Sequence, residues 1–90
     1  MKFEWDPAKA AANERKHGVT FDEASTVFAD VLSVSGPDLA HSRAEARWLT
    51  FGMSSHGQLL VVSHADRGAV VRLISARIAT RKERKIYEEG

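Results

Sequence analysis

Three apolar segments near the C-terminal half, Arg47–Met53, Gln58–Ala65 and Ala69–Arg77, are joined by only Ser54-Ser55-His56-Gly57 and Asp66-Arg67-Gly68. Connections this short and this rich in turn residues force consecutive strands to run antiparallel, so the three form a meander. Leu59-Leu60-Val61-Val62 and Val70 to Ile74 are apolar at successive positions. Side chains of a strand alternate between faces, so both faces of that central region have to be covered. Helices cover one. The second is left to the last helix, to a partner, or to a cleft. Trp48 and Phe51 fall on opposite faces by parity, in keeping with this.

The segments before the meander are helical. Lys2 to Trp5 reads as a short first strand, and Asp6-Pro7 as a helix start, with Asp at the cap and Pro at the first helical position. That helix runs to His17, with Gly18 as its left-handed terminator and Lys16 and His17 in the last turn. Thr20-Phe21-Asp22-Glu23 is a capping-box sequence, with Glu23 expected to reach back to Thr20. It opens a second helix to about Asp30, whose Phe21, Ala24, Val27 and Phe28 form an apolar stripe. Val31 to Ser35 reads as a strand ended by Gly36-Pro37-Asp38, and Asp38 to Glu45 as a polar loop. Thr80-Arg81-Lys82-Glu83 is a second capping box, opening a final helix to about Glu88. The order β-α-α-β-β-β-β-α gives an α+β domain, an antiparallel sheet with helices gathered mostly on one face.

Ninety residues suffice for one small domain, spanning 1–90, with a thin core that suits a tightly bound partner. The 43% hydrophobic and 28% charged content marks a globular chain. There is no cysteine, which removes a disulfide framework, a thiolate nucleophile and a Cys-ligated zinc site. No apolar run approaches the roughly 20 residues of a membrane span, and the polar start is unlike a signal peptide. A cytoplasmic protein without membrane contact is the expectation. The net charge of +1 hides an asymmetry: −3 through Asp66 and +4 after it. Of the thirteen Lys and Arg, eight are Arg, the side chain that fits phosphate or carboxylate bidentately. Arg72 and Arg77 interrupt an apolar segment, where an arginine needs a partner.

Several residues are candidates for chemistry. His64 shares parity with Leu60 and Val62; it reads either as a strand-end histidine satisfied by a backbone hydrogen bond or as a general acid or base. Glu45 and Arg47, one residue apart, point the same way from an extended chain: a surface ion pair, or a base beside a phosphate-holding arginine. His41-Ser42 has no acidic partner placed by spacing, so a Ser-His nucleophile is not expected. Lys16 and His17 complement a helix dipole or contact phosphate. Tyr87 reads as an acid, a stacking platform or a packing residue. The histidines at 17, 41, 56 and 64 lack helical i, i+4 spacing, and there is no Gly-rich phosphate loop, so neither a metal nor a cofactor is expected. Arg, His and Glu on one sheet permit metal-free cleavage of RNA, which supplies its own nucleophile in the 2′-hydroxyl.

Beyond this reading, the chain resembles the BrnT family of ribonuclease toxins. The likeness lies in Phe3-x-Trp5-Asp6-x-x-Lys9-x-x-x-Asn13-x-x-Lys16-His17-Gly18-Val19-x-Phe21-x-Glu23-Ala24, then His41-Ser42-x-x-Glu45-x-Arg47, Leu60-Val61-Val62-x-His64, and Arg72-x-Ile74-Ser75-Ala76-Arg77-x-Ala79-Thr80-x-x-Glu83-Arg84-x-x-Tyr87. It implies a RelE-like fold and a type II toxin that cuts RNA and stops translation. It also implies a BrnA-like antitoxin that neutralises the toxin and through which alone operator DNA is bound. By position, Glu45, Arg47, His64, Arg72, Arg77 and Tyr87 are the catalytic candidates, with Lys16, His17, Arg81, Lys82 and Arg84 as RNA contacts. In that scheme Glu45 or His64 takes the 2′-hydroxyl proton, arginines stabilise the phosphorane, and His64 or Tyr87 protonates the leaving oxygen. The odd separation of Arg72 and Arg77 puts them on opposite faces of a regular strand, unless a bulge intervenes or Arg77 lies past the strand end. A competing reading is a non-catalytic module, a corepressor or RNA-binding subunit of the antitoxin complex. A weaker third is a hydrolase or transferase acting on another phosphate substrate.

Overall fold

The computed structural model describes residues 1–43 and 45–90. Its elements are β1 (Lys2–Glu4), α1 (Pro7–His17), α2 (Phe21–Ser25), β2 (Val34–Pro37), β3 (Trp48–Met53), β4 (Leu59–Arg67), β5 (Val70–Ile78) and α3 (Arg81–Glu89), with a 3-10 turn, Thr26–Ala29, after α2. The five strands form one sheet in the order β1-β5-β4-β3-β2. From β2 to β5 each sequential pair is antiparallel. The sheet is mixed rather than wholly antiparallel, because the three-residue β1 lies parallel beside β5, with Phe3 opposite Val71. The α1–α2 excursion carries the chain from that edge to β2 at the far one.

Local signals set the helix boundaries. Asp6 accepts the Ala8 N–H at 2.8 Å and starts α1, and Gly18 ends it at φ 70°. The second helix is shorter than its apolar stripe predicts. Ser25 and Thr26 return their hydroxyls to the carbonyls of Asp22 and Glu23, at 2.7 and 2.6 Å, and the chain tightens into the 3-10 turn. Thr20 caps α2 as expected, accepting from the Glu23 N–H at 3.0 Å. The Glu23 side chain does not return to Thr20; it is buried and accepts from Ser54 Oγ at 2.7 Å, tying α2 to the β3–β4 turn. Asp30 then turns the chain, its Oδ1 accepting the Leu32 N–H, so β2 begins at Val34 and not at Val31. Pro37 is tolerated in β2 because that strand is an edge.

The main core lies between the sheet and α1–α2: Val19, Phe21, Ala24 and Val27 pack on Leu60, Val62, Val71, Leu73 and Ala76. A polar residue fastens it. Asn13 is buried on α1 and donates through Nδ2 to the carbonyls of Val19 (3.0 Å) and Ala76 (2.8 Å), while Oδ1 accepts the Ala76 N–H at 3.0 Å. Because β1 pairs only with residues 70–72 of β5, the amide of Asn13 takes the place of a neighbouring strand at Ala76.

One irregularity governs the second face. Ser63 is opposite Ser75 but His64 is opposite Leu73, so β5 carries an extra residue, Ile74, in a bulge. Leu73 and Ala76 thus both face the helices, although an odd number separates them. Arg72 and Arg77, opposite Ala65 and Val61, share the other face. The bulge is therefore what relieves their parity conflict.

Candidate functional site

The face away from α1 and α2 holds a cleft of about 340 Å³, floored by Leu49, Val61, Ser63, Ile74 and Ser75 and rimmed by Asp38, His41, Arg47 and Arg77. A second hollow, lined by His41, Arg43, Glu45 and Arg47, adjoins it and shares two of those residues. The walls come from two sources. Arg77 projects from the last part of β5, and the rest come from the loop between β2 and β3.

Arg77 is clamped. Its Nη1 and Nη2 donate to Glu83 Oε1 and Oε2 at 2.7 and 2.8 Å, a fork-on-fork pair across the β5–α3 junction. Glu83 Oε1 also accepts the Thr80 N–H at 2.9 Å, completing the predicted capping box. The Arg77 bond, followed by the Thr80 contacts, pulls the Glu83 carboxyl down to about 2, and the same bond raises the Arg77 guanidinium. Arg77 keeps 40% of its side chain exposed, so further donors remain available to a ligand in the cleft.

The β2–β3 loop is ordered from within. The Asp38 N–H donates to the Arg47 carbonyl at 2.8 Å. Ser42 Oγ donates to the Asp38 carbonyl at 2.7 Å and accepts the Arg47 N–H at 2.9 Å. This closure holds the Asp38 carboxylate under His41, whose Nδ1 lies 3.0 Å from Oδ2 and 3.2 Å from Oδ1. Sequence reasoning missed this partner. The signal was Asp38 three residues before His41, directly after Pro37, where a short acidic side chain commonly organises a turn.

The other sequence candidates separate. Glu45 and Arg47 both line the adjoining hollow, and the carboxylate of Glu45 accepts from Arg67 at 3.3 Å. Arg72 lies on the cleft's face but outside the cleft, paired with Glu4 at 3.2 Å. His64 lies on the opposite face and is buried against Phe28, its ring edge-on with centroids 4.9 Å apart. Both its nitrogens are engaged, Nε2 with Thr50 Oγ1 at 2.7 Å and Nδ1 with Asp66 Oδ1 at 2.8 Å. The Tyr87 hydroxyl donates to Asp30 Oδ2 at 2.7 Å, which also accepts the Met53 N–H; this pins α3 to β3. That bond raises the Tyr87 hydroxyl and, with the Met53 and Leu32 amides, lowers the Asp30 carboxyl. Arg81, Lys82 and Arg84 are exposed on α3, while Lys16 and His17 end α1 and line neither hollow. Among the described residues no three His, Asp or Glu side chains converge as a metal ion requires, and no helix is long and apolar enough to cross a membrane.

The profile of one protein family, described as the ribonuclease toxin BrnT of type II toxin–antitoxin systems, matches residues 5–83. The chain belongs to the BrnT family. It is a BrnT-type ribonuclease toxin of a toxin–antitoxin system, and type II membership implies a protein antitoxin as its partner. The BrnT profile spans the caps of α2 and α3, the whole β2–β3 loop and the Arg77–Glu83 clamp, and stops short of Tyr87. The crystal structure of the Brucella abortus ribonuclease toxin BrnT superposes with a TM-score of 0.69 over 90% of this chain and 99% of that one, at 24% identity. At that identity the likeness establishes the shared BrnT fold. Among individually curated proteins, none matches the chain at a significant level.

Proposed function

We propose that the chain is a metal-independent endoribonuclease whose active site is the Arg47–Arg77 cleft. The observation that carries this reading is the convergence of two arginines from separate elements on one open, polar-rimmed cleft in a family of ribonuclease toxins. A phosphodiester gains negative charge on its non-bridging oxygens as the 2′-oxygen attacks, and guanidinium groups fixed beforehand stabilise that charge without reorganising. The Arg77 guanidinium is fixed by Glu83, and the loop closure fixes the backbone from which Arg47 projects. Glu45 stands in the adjoining hollow, where the next nucleotide along the strand would pass. Arg81, Lys82 and Arg84, exposed on the helix that follows Arg77, are read as further contacts to the RNA backbone. Since RNA carries its own nucleophile, no metal-bound hydroxide is needed.

The antitoxin is read as BrnA-like and operator DNA as reached only through it, since a net charge of +1 gives this chain little field of its own to hold a duplex. The working place is the cytoplasm, where RNA is translated.

The test is induction of this chain without a partner in a bacterial host, with purified protein assayed on RNA in excess chelator. Growth arrest and chelator-resistant cleavage are expected. Arg77→Ala abolishes both, while Glu83→Gln, which weakens the same clamp but leaves the guanidinium, still cuts. Cleavage that stops on chelation overturns metal independence, and equal cutting by Arg77→Ala overturns the site.

A further inference from the structure

We propose that His41 and Asp38 form an acid–base dyad, with His41 carrying the proton in RNA cleavage and Asp38 acting as its positioning residue. This deepens the reading of the cleft as a ribonuclease site and rests on it.

The argument begins with a carboxylate that the fold does not need. The Asp38 side chain is 11% exposed, and among the described residues its hydrogen bonds go to His41 alone. The loop is closed by the backbone N–H and carbonyl of Asp38, with Ser42 and Arg47, and the carboxylate takes no part in that closure. A carboxylate taken largely out of water for one partner that is itself 66% exposed is a poor brace, because desolvation opposes folding and an exposed pair gives little back. As an orienting group for an imidazole the same placement makes sense. An ionised carboxylate only accepts, so Nδ1 carries the hydrogen and the Nε2 lone pair is left to face outward.

A second histidine in the same chain provides the contrast. His64 also has an aspartate on Nδ1, but it is buried and its Nε2 is occupied by Thr50. His41 has the same orienting bond, sits on the rim of both hollows, and makes no Nε2 hydrogen bond among the described residues. The charged groups lining those hollows with His41 are Asp38, Arg43, Glu45 and Arg47 from its own loop and Arg77 from β5, the last already clamped by Glu83. A phosphate held by Arg47 and Arg77 therefore lies beside the imidazole.

The step balances within the site. Nε2 removes the 2′-hydroxyl proton as the O2′–P bond forms, the P–O5′ bond breaks, and the imidazolium returns that proton to the departing 5′-oxygen. The products are a 2′,3′-cyclic phosphate and a 5′-hydroxyl, with no net proton released. Asp38 stays ionised and stabilises the imidazolium.

The experiment measures kcat and KM on a labelled single-stranded RNA oligonucleotide, on translating ribosomes as well, and on its 2′-deoxy analogue. His41→Ala is expected to lower kcat by about 10²- to 10⁴-fold, with part of the rate restored by added imidazole. Asp38→Asn keeps an acceptor for Nδ1 but loses the charge; kcat falls by at least about tenfold, KM changes little, and the melting temperature holds or rises because a buried charge is gone. If the parent chain cuts neither naked nor ribosome-bound RNA, the ribonuclease reading of the cleft fails and the dyad with it. If the parent cuts RNA and His41→Ala cuts as fast, the dyad alone is overturned. An Asp38→Asn variant that melts lower while its kcat is unchanged has the same consequence.

Discussion

Replacing Asn13 with alanine is expected to remove much of the folding free energy, although no apolar contact of any size is lost. The side chain satisfies three backbone groups: the Ala76 N–H, the Ala76 carbonyl and the Val19 carbonyl. Ala76 is 0% and Val19 1% exposed, so water cannot readily replace the amide. An orphaned buried donor costs about 1–3 kcal/mol, and carbonyls robbed of a partner add to that. A total of about 3–5 kcal/mol follows, against roughly 5–13 kcal/mol for a domain of this length. At about 4–8 °C per kcal/mol the melting temperature falls by about 12 °C or more. Asn13→Asp sharpens the test. Its Oδ1 still accepts from Ala76, but the second oxygen faces two carbonyl oxygens. Burial and that repulsion raise the carboxyl's pKa in the folded state, so the variant is least stable above it and recovers as pH falls through it, once a proton is available to donate. Urea titrations followed by far-ultraviolet circular dichroism at neutral and acid pH measure both. A loss under about 1 kcal/mol for Asn13→Ala, or an Asn13→Asp variant that weakens on acidification more than the parent does, refutes the reasoning.

Further expectations follow from other contacts. Glu83 falls from an ordinary 4.5 to about 2, so its contribution is complete above 4.5 and is lost as pH drops from there toward 2; Glu83→Gln should flatten that part of the parent's acid-denaturation curve, and an unchanged curve would count against the clamp. A Cβ on Gly52 would meet Val27 Cβ at 3.0 Å and the Val27 carbonyl oxygen at 3.1 Å. Gly52→Ala should therefore destabilise by about 1–3 kcal/mol in a denaturant titration, by pushing the 3-10 turn off β3. His64→Phe removes a buried ring bonded at both nitrogens, leaving the buried Thr50 hydroxyl without that acceptor. It should lower the melting temperature, and a folded His64→Phe protein unable to cut RNA would return His64 to the chemistry.

What could be read from the chain was what neighbouring residues decide. The Asp6-Pro7 start, the Thr80–Glu83 box and the Ser54–Gly57 turn were legible because each closes within a few residues. The second turn sits at Gly68–Ala69, since Asp66 and Arg67, read as turn residues, still pair with Val71 and Val70. The parity of His64 with Leu60 and Val62 already pointed it at the core. Long-range pairing was not legible. Glu23 carries a capping-box spacing, yet its carboxylate is captured by Ser54 from 31 residues away. The parallel seat of β1 depends on where β5 ends up. In the site, the arginines were legible as types, but the partner of Glu45 was not, because Arg67 reaches it from 22 residues away. The Asp38–His41 contact was passed over because His41 was weighed against a nucleophile rather than an orienting acid.

The bulge at Ile74 makes β5 two alternating frames spliced by a single extra residue. In the first frame odd positions face the helices, as at Val71 and Leu73; in the second even positions do, as at Ala76. A residue added or removed inside either frame turns the rest of that frame inside out, setting arginine toward the core and alanine toward the cleft. Removal of Ile74 itself does not, because the ladder then closes up with every neighbour on the face it already had. The chain would keep its core, with Arg72 and Arg77 still opposite Ala65 and Val61, while the local bend relaxed and the cleft lost Ile74 from its floor. At this one position the number of residues bears on the shape of the cleft far more than on the existence of the fold.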